Sequence, residues 1–197
     1  MSNSTGNTRR LVGMSILTAL VVVLQVVATF IKPFGFSFTL ALTPIVVGAA
    51  LYGSKSGAWL GGVFGVVVLL MCIFGADAGG AILWNVNPAM TAVLCIVKGA
   101  AAGWVTGLVY NALNKKKMTA RVISAAICTP IVNTGIFCLG MALFFHDKLV
   151  EWAAGANLVY FVFIGLIGLN FLIEMVVNVA LSPIIVRIID ARGKEIA

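Results

Sequence analysis

The sequence predicts an all-α integral membrane protein, a bundle of six transmembrane helices with both termini in the cytoplasm. Three observations carry that reading. Of 197 residues, 61% are hydrophobic and only 10% are charged, whereas a soluble domain carries roughly a quarter of its residues as charge. The apolar residues fall in runs long enough to cross a bilayer, which takes about 20 residues of helix. The basic residues, finally, stand almost entirely on one side of those runs.

The first span runs from Leu11 to Ile31 and is closed by Lys32-Pro33, with a polar-aromatic stretch from Phe34 to Thr39 behind it. A second apolar run, Leu40 to Tyr52, is short and holds Pro44, so it is tilted, kinked or only partly embedded. Gly53 to Gly57 makes a tight turn into a third span, Ala58 to Phe74. A loop follows, Gly75 to Gly80, leading to Trp84-Asn85-Val86-Asn87-Pro88. Pro88 suits the first turn of a helix, and the fourth span runs from there to Leu113, ended by Asn114 and three lysines. The fifth covers Ala120 to Phe145. A wet loop with His146, Asp147, Lys148 and Glu151 leads to the sixth, Leu158 to Ile189.

Six passes put Arg9, Arg10, Lys55, Lys115, Lys116, Lys117, Arg121, Arg187, Arg192 and Lys194 on one side. Lys32 and Lys148 fall on the other, and Lys98 lies within the membrane. Basic residues collect on the cytoplasmic side of short loops, which places both termini there. Residues 1–10 then form an N-terminal tail, 11–189 the membrane domain and 190–197 a C-terminal tail. The first apolar run is too long for a signal-peptide core and has no small-residue cleavage site after it, so it is expected to be retained.

Several functions are set aside on the same grounds. The net charge of +7 follows the topology and forms no basic stripe with interleaved aromatics, so nucleic acid is not an expected partner. Membrane lipid is. Cys72, Cys95, Cys128 and Cys138 lie inside apolar segments without C-x-x-C spacing and read as small buried hydrophobes. No metal-ligand set, nucleotide loop or catalytic triad is present. The expectation is a chain with no cofactor, no metal and no enzymatic activity of its own.

Polar groups inside the spans are the candidates for function, because ionisable residues at membrane depth are costly and face a bundle interior or a cavity. Lys98 lies about ten residues into the fourth span, roughly 15 Å deep. It either holds an anionic or polar group of a substrate or pairs structurally with Glu174 or with backbone carbonyls. Glu174 shares a helix face with Asn170 and Asn178, at four-residue spacing, and forms either part of a ligand site or a structural polar stripe. Asn133, with Thr129 and Thr134, sits beside Pro130. It contacts ligand or satisfies the backbone group that the proline frees. Trp84, Asn85 and Asn87 stand at the membrane boundary. They form a lid over a ligand, or an interfacial aromatic with two loop-capping amides.

Glycines repeat at four-residue spacing twice, as Gly57, Gly61, Gly65 and as Gly99, Gly103, Gly107. Such faces let helices approach closely in lipid, and packing inside the bundle accounts for both ladders. Ser15 and Ala19 make one small step in the first span and are free to face a partner.

The layout, Ser15 to Ala19 in the first span, the stretch Leu42 to Ala58 (LTPIVVGAALYGSKSGA) and Lys98 to Gly103 (KGAAAG) together resemble the substrate-binding S components of energy-coupling factor (ECF) transporters. The resemblance covers Leu11 to Ile189. It implies a six-helix protein of a prokaryotic cell membrane that binds a water-soluble vitamin or precursor. Such a protein docks onto a transmembrane scaffold subunit driven by two cytoplasmic ATPases. It also implies that Ser15 and Ala19 meet the scaffold, Ser15 standing where the family typically has alanine. The metal-binding branch resembles proteins with an N-terminal histidine cluster, which this chain lacks. Pantothenate is the first expectation for the substrate and riboflavin the second. The alternatives are a stand-alone secondary transporter or channel for a small polar solute, and a membrane enzyme.

Overall fold

A computed structural model describes residues 2–30, 39–162 and 168–194. The expected stop at Lys32-Pro33, the stretch after it to residue 38, and residues 163–167 and 195–197 lie outside the described residues.

The elements are α1 (Ser2–Phe30), α2 (Leu42–Tyr52), α3 (Ser54–Ile73), α4 (Ala78–Val86), α5 (Pro88–Ala112), α6 (Met118–Phe144), α7 (His146–Ala153), α8 (Leu158–Tyr160) and α9 (Gly168–Lys194). No strand occurs among the described residues. Helices within α1, α3, α5, α6 and α9 are long and apolar enough to cross a membrane, while α2 has 11 residues. The described residues are therefore those of an α-helical membrane protein, with five helices long enough to span and one short apolar helix. Helix runs back to Ser2 and on to Lys194, into both stretches read as tails.

Two expected loops are helical. Residues 78–86 form α4 because Asp77 caps it, its side chain accepting from the Gly80 N–H at 3.4 Å. That contact satisfies one of the four N–H groups that a helix start leaves unpaired. Residues 146–153 form α7, with the acidic Asp147 in its first turn, where the helix dipole favours it. Its Leu149 and Ala153 are buried. The polar composition that reads as a wet loop is the outer face of a short amphipathic helix.

The glycine ladders pack against each other. A Cβ added to Gly57, Gly61 or Gly65 of α3 would strike the backbone carbonyl of Gly103, Gly99 or Cys95 of α5. A Cβ on Gly107 would meet Ser54 Cα at 2.5 Å. The pairing descends one helix as it climbs the other, so α3 and α5 are antiparallel and touch backbone to backbone. Only glycine allows that approach. Ala41, Leu42, Ile45, Val46, Leu60 and Phe64 fill the main core around this seam, with Cys72 and Cys95 also buried in it. All four cysteines are free thiols.

A second, smaller core occupies one end of the bundle. Leu83 of α4, Leu94 of α5, Met141 of α6, Phe145 and Leu149 of α7 are its buried members. This end, where α3 finishes and α5 begins, carries Asp77, Asp147, Lys148 and Glu151. Arg9, Arg10, Lys55, Lys115, Lys116, Lys117, Arg121 and Arg187 lie at the opposite end.

Candidate functional site

Helices α5 and α6 run antiparallel, and their seam is a ladder of paired groups. At the lysine-rich end, Arg121 of α6 donates from Nε to the Tyr110 carbonyl of α5 at 3.1 Å, its guanidinium 4.0 Å from the Tyr110 ring centre. Further along, one turn on in α5 and two in α6, the Thr106 and Thr129 hydroxyl oxygens stand 2.7 Å apart, each also within bonding distance of the carbonyl four residues before it, Ala102 and Ala125. Both threonines are fully buried. Toward the other end, the Lys98 ammonium sits 5.1 Å from the centre of the Phe137 ring. Last, Gly140 abuts Leu94.

Asn133 occupies the rung between the threonine pair and Lys98–Phe137, one turn from Thr129 and one from Phe137. It is 6% exposed, and its Oδ1 receives no hydrogen bond. An unpaired buried acceptor costs about 1–3 kcal/mol. Pro130, inside the helix one turn from Ala126, interrupts the backbone ladder at the same level, since proline has no N–H to offer. The Thr129 hydroxyl goes to the Ala125 carbonyl and to Thr106.

Lys98 is half-buried and makes no ion pair among the described residues. The one ion pair there joins Lys148 and Glu151 on α7. A cation near a ring within about 6 Å is stabilised by roughly 0.5–2 kcal/mol, which lowers the cost of keeping the charge in a span without neutralising it. No ion pair joins Lys98 to Glu174.

Glu174 belongs to a different seam. It stands six residues after the start of α9, and its Oε1 accepts from the Thr39 N–H at 3.0 Å. One turn on, Asn178 Oδ1 accepts from the Thr43 hydroxyl at 3.0 Å, while its Nδ2 donates to the Glu174 carbonyl at 2.9 Å. Ser182 then donates to the Asn178 carbonyl at 3.1 Å. This polar stripe fastens the start of α2 to α9. Asn170 lies on α9 one turn before Glu174, with its side chain outside the described residues.

The other expected site residues stand apart. Asn87 is the N-cap of α5, its Oδ1 accepting from the Met90 N–H at 3.1 Å. Trp84 is half-buried against the main core, and Asn85 is exposed on α4. None of the three makes a hydrogen bond or ring contact with Lys98, Asn133 or Glu174. Ser15 and Ala19 are exposed on α1, amid the exposed Ile16, Leu20 and Val23.

Phe137 was not a sequence candidate, since nothing marks one phenylalanine among 12. Gln25 was missed too. It is 6% exposed on α1, and its Oε1 receives no hydrogen bond. A lone amide inside an apolar run was the available signal.

Chemically, the α5–α6 seam offers an unneutralised cation, an aromatic face and an unpaired amide acceptor, and among the described residues no group of three or more metal ligands. No curated protein and no solved structure matches the chain at a significant level. Residues 9–186 match the family described as ECF transporter, substrate-specific component. The match spans most of the chain, which therefore belongs to the substrate-specific components of ECF transporters.

Proposed function

We propose that this chain is the substrate-binding subunit of an ECF-type importer and holds an anionic, water-soluble vitamin or precursor at the α5–α6 seam. The observation that carries the reading is Lys98, a cation inside a span with an aromatic neighbour and no ion-pair partner among the described residues. A charge kept unneutralised at that depth is set to receive an anion. Pantothenate, which bears a carboxylate, answers that demand better than riboflavin, which does not.

In this reading Lys98 and Asn133 contact the substrate. Glu174 and Asn170 belong to a second wall on α9, where Glu174 positions the Thr39 segment, and Trp84, Asn85 and Asn87 rim the entrance. The segregation of basic residues to one end supports six passes, α2 included, with both termini cytoplasmic in a prokaryotic plasma membrane. Family membership supports a scaffold subunit and two cytoplasmic ATPases as partners, with Ser15 and Ala19 on the docking face. ATP is then hydrolysed on those partners, and this chain needs no cofactor.

Native mass spectrometry of the purified protein tests the assignment. A co-purified carboxylate that is lost from Lys98→Met supports it. Concentrative, ATP-independent uptake by proteoliposomes containing only this chain would replace it with the secondary-transporter reading.

A further inference from the structure

Asn133 narrows the chemistry of the substrate. Its Oδ1 is buried and unpaired, and its neighbours along the seam leave it so. Thr129, one turn away, is engaged by Thr106 and by the Ala125 carbonyl. Phe137, one turn the other way, presents a ring rather than a donor, and that ring carries the Lys98 ammonium. A buried acceptor without a hydrogen bond, one turn from the ring that carries the Lys98 ammonium, sets a group that wants a donor near a group that wants an anion.

We infer that the substrate is a carboxylate carrying a hydroxyl or amide N–H donor, with the anion at Lys98 and the donor on Asn133 Oδ1. This rests on Lys98 being the anion site. Asn133 and Phe137 are four residues apart, about 6 Å along the helix axis, so anion and donor are separated by a short stretch of substrate. A simple fatty carboxylate satisfies Lys98 and leaves Asn133 stranded. A cationic vitamin is repelled by Lys98. Asn133 is thereby the residue that sets specificity, because a site built to bond a donor discriminates strongly against an analogue that lacks it.

The test compares pantothenate with an analogue of the same size and charge, its hydroxyls removed and its amide N-methylated, by calorimetry on the full-length protein in detergent. The analogue is expected to bind about 5- to 150-fold more weakly, the range that one stranded buried acceptor produces. In Asn133→Leu that ratio is expected to fall toward one, with the ligand-free melting temperature unchanged or raised. Equal affinity of the wild-type protein for the two compounds would overturn the inference and leave the anion site standing. Binding of neither compound would overturn the inference for pantothenate, and the anion site is then decided separately by whether a co-purified carboxylate is lost from Lys98→Met. A lower ligand-free melting temperature in Asn133→Leu would show that the amide serves the fold, and would also overturn it.

Discussion

The Lys98 ammonium stands 5.1 Å from the centre of the Phe137 ring, and no carboxylate among the described residues pairs with it. A lysine in a span that served structure would be expected to meet a counter-ion. Instead Glu174 is bonded to Thr39. The cation is steadied by a ring and left available.

Lys98→Met should therefore lower substrate affinity while sparing the fold. A charge-assisted hydrogen bond is worth about 1.5–3 kcal/mol net, so affinity is expected to fall by about 10- to 150-fold. The thioether retains contact with the Phe137 ring, and a buried charge replaced by a hydrophobe of similar volume is often neutral or stabilising. Titration and thermal melting of the same preparation check both halves. A large drop in melting temperature with unchanged affinity would show that Lys98 is structural.

The α3–α5 seam predicts a contrast between adjacent glycines. A Cβ on Gly61 would strike the Gly99 carbonyl, whereas a Cβ on Gly62 has nothing within 4 Å. Gly61→Ala should destabilise by at least about 1–3 kcal/mol, since backbone cannot yield as a side chain can. Gly62→Ala should be neutral, or stabilising by about 0.5–1 kcal/mol, because alanine loses less conformational freedom in a helix. Melting temperatures in one detergent decide, and equal effects of the two substitutions would contradict the backbone-to-backbone packing.

Long-range order was legible wherever the physics of lipid is blunt. Apolar length marked five spans, and four-residue glycine spacing marked two faces that meet. Short-range polarity misled at α4 and α7, because a polar residue in a loop and one on the wet face of a short helix look alike in sequence. Lys98, Asn133 and Glu174 were conspicuous as polar residues in apolar runs. Their partners were not, since Phe137 and Thr39 become significant only once α5 meets α6 and α2 meets α9. The distribution of polar groups between two seams follows from helix neighbours, which periodicity within one helix does not encode.

The small-residue step on α1 bears on the partner. Ser15 and Ala19 are exposed beside Ile16, Leu20 and Val23, and Ser15 returns its hydroxyl to the Leu11 carbonyl at 3.0 Å, so it presents little polarity outward. A tryptophan at position 19 removes the close approach that small side chains permit without touching the bundle interior. Ala19→Trp is expected to abolish co-purification with the scaffold subunit and ATP-dependent uptake, with substrate affinity unchanged. Wild-type recovery of the complex would return this face to lipid.

The polar stripe between α2 and α9 separates holding the fold from holding the substrate. Glu174 Oε1 accepts from the Thr39 N–H, and Asn178 Oδ1 accepts from the Thr43 hydroxyl. Glu174→Gln keeps an oxygen for the Thr39 N–H, so stability and substrate affinity should both stay near the wild-type values. Glu174→Leu removes the acceptor and strands a backbone donor, which costs about 1–3 kcal/mol. Asn178→Leu should cost a similar amount, since it leaves the Thr43 hydroxyl without its acceptor and frees the turn that Asn178 closes onto the Glu174 carbonyl. If Glu174 positions the Thr39 segment, affinity in these variants follows stability, with Gln mild and Leu severe. If its carboxylate contacts the substrate directly, Glu174→Gln alone lowers affinity while the melting temperature holds. Melting curves and binding isotherms for the three variants distinguish the two roles, and the Oε1 bond to Thr39 favours the first.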